Sequence, residues 1–184
     1  MRYLCLIYLS MLVLGSGAIA QSKFTDAMSD GSTVTYRIVH PLHTIVATSK
    51  EVAYRLEYDA ATKAIKSIAA KVDVTSFDSG NSNRDSHAME VIDAISYPDA
   101  AFQSTGITQR GDTLAVAGKL TFHGVIGDVL ALVSAVWSPA KDTVHFSGGF
   151  TISLTDFKID RPSLLMIPVN DTLWFTLNAG FNLK

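Results

Sequence analysis

Apolar and polar residues alternate along most of this chain. From Thr33 to His40, the side chains of Val34, Tyr36, Ile38 and His40 fall on one face, the period-two signature of a half-buried strand. The pattern returns at Val52–Tyr58 and at Lys66–Ser76, where Ile68, Ala70, Val72 and Val74 point one way. It continues through Ala101–Thr108, Thr113–Phe122, Val129–Trp137, Val144–Leu154 and Thr172–Asn182. Turn formers punctuate it: Pro41, Asp59–Lys63, Arg110-Gly111-Asp112, Gly124 and Pro139–Asp142. These runs predict eight strands. Val129–Trp137 is apolar on both faces, which predicts a cover over its outer side. Gln21–Ser32 is polar and reads as a flexible lead-in.

One stretch breaks the rhythm. Phe77-Asp78-Ser79-Gly80-Asn81-Ser82-Asn83 is a run of turn formers. Then Ala88, Val91, Ile92 and Ile95 recur at helical spacing, predicting a short helix over about 84–95. Ser82 or Asn83 suits its N-cap and Asp85 its positive end. Tyr97-Pro98 stops it, since proline disfavours helical geometry in the residue before it. This helix is the expected cover for Val129–Trp137, or for one end of the sheet.

Long antiparallel strands with one apolar face close into a barrel or stack as a sandwich. Strands of nine to eleven residues favour a barrel, whose tilted strands must be long. Small residues lie near mid-strand at Ala70, Ser104, Gly118, Gly148 and Ala179. They either leave a narrow lumen or merely balance large neighbours in a packed core. The pattern alone leaves both open.

Composition narrows the setting. Met1-Arg2 starts basic, Tyr3–Leu14 is apolar but shorter than a bilayer span, and Ala18-Ile19-Ala20 is a small-residue cleavage signal. Residues 1–20 therefore read as a signal peptide cleaved near Ala20, which predicts an exported protein, periplasmic or secreted. The single cysteine, Cys5, falls inside that leader. The formal net charge is −2, with no basic run, which argues against nucleic acid as a partner.

Catalytic signatures are missing: there is no G-x-S-x-G elbow, H-E-x-x-H or phosphate-cradling glycine loop. His87, His123, Asp85 and Asp156 lie in separate segments. His40 and His43 flank Pro41 without a third ligand at matching spacing, so no metal site is expected. Asp156, Asp160, Arg161 and Leu164-Leu165-Met166 fall in a long loop before the last strand, which is either a mobile lid or a packed end cap.

Two blocks carry a family resemblance. Asp78-Ser79-Gly80, Arg84-Asp85-Ser86-His87 and Tyr97-Pro98 through Phe102-Gln103-Ser104-Thr105 form the first, and Leu120-Thr121-Phe122-His123-Gly124-Val125 the second. Together they resemble the signature of the YceI-like family over about residues 33–184. The resemblance implies an all-β fold, an eight-stranded antiparallel lipocalin-like barrel with one short helix. It also implies a long apolar lipid, isoprenoid-type or fatty, held inside without turnover and without a cofactor. The implied wall is Tyr36, Ile38, Tyr54, Val72, Phe102, Val116, Phe122, Phe146, Phe150 and Phe175. The implied head-group contacts are Arg84, His87, His123 and Arg161. Where family members carry glycine and phenylalanine in the second strand, this chain has Val52-Ala53-Tyr54-Arg55-Leu56, and Tyr54 is expected to narrow the tunnel. The alternatives are a hydrolase or isomerase acting on such a lipid at the Arg84, His87 and His123 end, and a filled structural barrel. The expected partner is the lipid; a homodimer is left open.

Overall fold

The computed structural model describes residues 21–184, so the expected signal peptide, with Cys5 in it, lies outside the described residues. The chain runs through β1 (Ser22–Asp26), β2 (Thr33–His40), β3 (His43–Ser49), β4 (Ala53–Asp59) and β5 (Ile65–Asp73). The helix α1 (Ser82–Val91) follows. Then come β6 (Asp99–Arg110), β7 (Thr113–Phe122), β8 (Val125–Trp137) and β9 (Thr143–Ser153). A two-stranded ribbon, β10 (Ser163–Leu164) and β11 (Ile167–Pro168), precedes β12 (Thr172–Asn182).

Ten strands form one antiparallel sheet in the order β1-β4-β5-β6-β7-β8-β9-β12-β2-β3. It curls until its first strand meets a central one. Ala27, just beyond β1, bridges Phe181 of β12, and the Met28 N–H donates to the Gly180 carbonyl at 2.8 Å. At that end the barrel is closed. At the other end β2 and β3 take the place beside β12, and Thr48 of β3 exchanges two backbone hydrogen bonds with Asp78, in the loop before α1.

The alternation predicts the buried faces well. Leu114, Val116, Leu120 and Phe122 of β7 point inward, as do Val144, Phe146 and Ile152 of β9. The core falls into two clusters. One, around Leu56, Tyr58, Leu114, Phe146 and Phe181, fills the closed end. The other, around Phe122, Leu154, Phe157, Ile159 and Leu173, lies at the end carrying α1.

Four expectations need correction. The count is ten strands in the main sheet, not eight. The lead-in 21–32 contains β1, held by its ladder to β4 and scarcely by burial. The stretch after Pro41 contains β3, an edge strand whose inward positions include only Ala47 and Ser49 as buried residues. Finally, α1 does not cover β8: Ile126, Leu130, Leu132 and Val136 are all exposed on its outer face.

The helix itself is shifted. Asn81 is the N-cap, its side chain accepting from the Arg84 N–H at 3.1 Å, as such a cap requires. Asp93 enters the left-handed region at φ 45° and ends the apolar stripe, leaving Ile95 fully exposed.

Candidate functional site

Between the two packed clusters lies a cavity of about 230 Å³. Its floor is the top of the closed-end cluster, with Tyr54, Val116 and Val133 facing it. Tyr54 is fixed there by its hydroxyl, which donates to the Thr33 carbonyl at 2.9 Å, and its burial pushes its pKa far up. The walls are Ile38, Val72, Leu120, Phe122, Phe150 and Phe175. Phe150 and Phe175 pair across β9 and β12 and stack at 4.9 Å. One side is closed by α1, which turns Ala88, Met89 and Val91 to the lumen, joined by its C-cap Ile92.

The cavity's polar edge is local and built by the turn-former run. Arg84 lies on the first turn of α1. Its guanidinium donates to the Ser79 hydroxyl at 2.8 Å and the Ser79 carbonyl at 2.7 Å. Asp85 beside it accepts the Ser79 N–H at 3.2 Å. The Tyr36 ring meets Phe77 at a centroid distance of 5.2 Å. Burial raises the Tyr36 pKa, the Asp85 carboxylate raises it further, and the Arg84 guanidinium opposes the rise. Arg84, Asp85 and the Tyr36 hydroxyl thus share one polar corner of a chamber whose lining is otherwise apolar apart from His87 and Lys71.

Most of the sequence-derived wall sits on this cavity: Tyr36, Ile38, Tyr54, Val72, Phe102, Val116, Phe122, Phe150 and Phe175. Phe146 does not. It is buried in the closed end against Phe181, at 5.5 Å between ring centroids. Among the head-group candidates, Arg84 and His87 border the cavity. The His87 side chain is largely exposed and lies 3.5 Å from Glu90.

His123 and Arg161 belong to the scaffold. His123 Nδ1 donates to the Phe157 carbonyl at 3.0 Å, and its ring takes the edge of Tyr97. Arg161 Nε donates to the Val169 carbonyl at 2.8 Å, and Nη2 donates to the same oxygen. The small mid-strand residues also divide. Ala70 lines the cavity, whereas the space at Gly118 is taken by the Phe102 ring and Ala179 is packed in the closed end. Ile45, Phe77 and Met89 lie outside the faces the alternation picks out, whereas Val34, on the inward face of the first predicted strand, joins the lining although the expected wall begins at Tyr36.

Two further positions contain histidines close together. His40 and His43 have ring centroids 5.2 Å apart. His40 Nδ1 accepts the Leu42 N–H and Nε2 donates to the Ile167 carbonyl at 2.9 Å, so both nitrogens are engaged in holding loops. Among the described residues no group of three His, Cys, Asp or Glu side chains converges to hold a metal.

Comparison with known proteins places this architecture. Residues 26–181 match the family model of the YceI-like domain. Protein YceI of Escherichia coli O157:H7 is 27% identical over 123 residues, 65% of this chain, and the match spans 64% of that protein's length. A UPF0312 protein of Pseudomonas savastanoi pv. phaseolicola is 28% identical over 183 residues, covering 94% of this chain and 92% of its own. The crystal structure of Burkholderia cenocepacia BcnA superposes with a TM-score of 0.72 at 24% identity, over 81% of this chain and 95% of its own. A polyisoprenoid binding domain from Saccharophagus degradans superposes with a TM-score of 0.63 at 11% identity, over 86% and 97%. With the two motif blocks, the curled antiparallel sheet and a family match over nearly all the described residues, this chain belongs to the YceI-like domain family.

Proposed function

We propose that this protein holds one long apolar chain, isoprenoid-type or fatty, in the cavity beneath α1, and carries or sequesters it without chemical change. The observation that carries this reading is the chamber itself: a lumen left unfilled between two packed clusters, apolar except at its polar corner, His87 and Lys71. Its volume, about 230 Å³, lies below the ~300–1,000 Å³ usual for drug-sized ligands. Burying ten methylene-sized units is worth about 8 kcal/mol before the ordering costs of binding. Arg84, Asp85 and the Tyr36 hydroxyl supply donors and an acceptor for a polar head. A relative in structure, the Saccharophagus domain, is described as binding polyisoprenoid.

A non-catalytic role is supported by what the histidines already do. His123 is bonded to the Phe157 carbonyl, and His87 pairs with Glu90 on the exposed side of α1. The sequence of residues 1–20 supports export and cleavage near Ala20, with the periplasm or the medium as destination.

Solvent extraction of protein purified from its own host, followed by mass spectrometry, tests the central reading. A long-chain lipid near one per protein is expected, and its loss in Ala70→Phe, which fills the lumen. No lipid in either would leave a filled scaffold. Consumption of added lipid that His87→Ala abolishes would replace the carrier with an enzyme. N-terminal sequencing of exported protein is expected to begin at Gln21.

A further inference from the structure

The ribbon between α1's end of the barrel and β12 presents an unusual tip. Leu164 pairs with Ile167, leaving Leu165 and Met166 as a two-residue hairpin loop. Both have positive φ, 53° and 64°. Such a turn favours Asn-Gly, because side chains beyond glycine and asparagine crowd the left-handed backbone. Here it is filled by two large apolar residues, and they face water: Leu165 is 77% and Met166 97% exposed. The local preferences of backbone and side chain are both violated at the same two positions.

The tip is nonetheless held firmly. Its base is closed by the Val169 N–H donating to the Pro162 carbonyl at 2.9 Å, and by the Arg161 fork on the Val169 carbonyl. His40 donates to the Ile167 carbonyl, and the Asn170 N–H donates to the Val39 carbonyl at 2.7 Å. The same His40 accepts from the Leu42 N–H, which brings a further exposed apolar side chain, Leu42, to this end. The base also belongs to the cavity, since Pro162 and Val169 are part of its wall.

We infer that the Leu165-Met166 tip is a membrane-docking finger that sets the cavity's rim against a lipid bilayer. The inference rests on the lipid reading of the cavity: a carrier of a membrane lipid must bring its cavity to the membrane. A rigid apolar point continuous with the lumen wall does this, much as interfacial segments sink apolar side chains to the acyl boundary. Lys158 and Arg161 are matched nearby in sequence by Asp156 and Asp160. Docking is therefore by apolar insertion, not by attraction to anionic lipid. The apolar stripe on the outer face of β8 is a separate surface, facing away from the lumen.

The test is flotation of the mature protein with phosphatidylcholine vesicles, with and without phosphatidylglycerol, at low and high salt. Wild type is expected to float in all four conditions alike. Leu165→Asn combined with Met166→Gly restores the turn's preferred residues and removes both apolar side chains. It is expected to melt no lower than wild type, yet to lose roughly tenfold in partitioning for each side chain removed. Wild type that stays with unbound protein overturns the inference. So does a double variant that floats equally, which would move the contact to another surface such as the β8 stripe. Self-association that the double variant abolishes, without flotation, also overturns it and makes a second copy the occupant. Extracted lipid from the double variant separates the two readings. A variant that keeps its bound chain but no longer floats supports docking. A wild type that floats but never yields a bound chain leaves docking intact and ends the carrier reading.

Discussion

At the residue scale, the two family blocks meet at one point, and the reason is steric. His123 and Gly124 both have positive φ, 49° and 70°, which makes the β7–β8 connection a two-residue hairpin turn. A Cβ at Gly124 would strike the Tyr97 ring, and that ring also packs on His123. The tyrosine of one motif thus caps the turn of the other. Gly124→Ala is expected to lose about 1–3 kcal/mol, read as a shifted urea midpoint at unchanged slope. Lipid content per folded molecule should not change. Tyr36 gives a second check. Its pKa and that of Tyr54 are raised above the usual tyrosine value, so both stay protonated where ordinary tyrosines ionise. The sign follows: their contribution to stability is complete below about pH 10, and is lost as pH climbs through the folded values. An absorbance titration of native protein should leave Tyr36 and Tyr54 unionised above that point, and Tyr36→Phe should lower the late-titrating amplitude.

At the element scale, what holds α1 is its cap and its first turn, not its burial. None of its residues is fully buried. Asn81→Ala is expected to cost about 1 kcal/mol, and much of that should appear as local opening. Hydrogen exchange in α1 should be faster than in β7 or β9, should accelerate in Asn81→Ala, and should slow when the cavity is loaded. The turns show the opposite economy, with carboxylates fixing loop backbones. Thr62, Thr75, Ser138 and Ser153 hydrogen-bond to Asp59, Asp73, Asp142 and Asp171 respectively, and hold each carboxyl below its usual range. Depressed carboxyls stabilise the fold above their unfolded pKa of about 3.9, and that contribution disappears as pH falls through the folded values. Chemical denaturation midpoints should therefore hold level down to about pH 5 and fall below about pH 4. Asp171→Asn should make that fall shallower.

The elements readable from sequence were those whose inward residues contrast with their outward ones. β7, with Leu114, Val116, Leu120 and Phe122 set against Thr113, Lys119 and Thr121, is the clearest. β1 was hidden because Ser22-Lys23-Phe24-Thr25-Asp26 has no apolar face; its partner β4 supplies the hydrogen bonds that order it. β3 was hidden because its buried side chains are only Ala47 and Ser49. The exposed outer stripe of β8 defeats any pattern rule, since greasy residues facing water look the same in sequence as residues under a cover. At the cavity, alternation found the β-sheet walls. It missed Phe77 and Met89, because loop and helix residues reach the lumen only through the Thr48–Asp78 clip and the Arg84–Ser79 contacts. His123 and Arg161 hold the Phe157 and Val169 carbonyls, 34 and 8 residues away, partners that strand alternation does not reveal.

At the scale of the whole molecule, the barrel divides stability from binding along its axis. The closed end is a dry plug in which Phe181 is fully buried and Phe146 packs against it. The end beneath α1 keeps its apolar surface unfilled, so its side chains have fewer partners to lose. Two substitutions should therefore behave in opposite ways. Phe146→Ala removes a ring from the plug and should lose about 3–5 kcal/mol, with the unfilled space left behind adding to the transfer cost. Bound chain per folded protein should stay as in wild type, since Phe146 does not border the cavity. Ala70→Phe places a ring where the lumen is open, so it should displace bound chain with little loss of stability, or a gain if the ring packs against Phe102 and Tyr54. Calorimetric melting and extracted lipid, measured on the same preparations, decide the matter. A Phe146→Ala protein that folds but has lost its lipid would mean that plug and chamber form one continuous lumen. An Ala70→Phe protein that keeps its lipid would mean that the chain lies elsewhere than beneath α1.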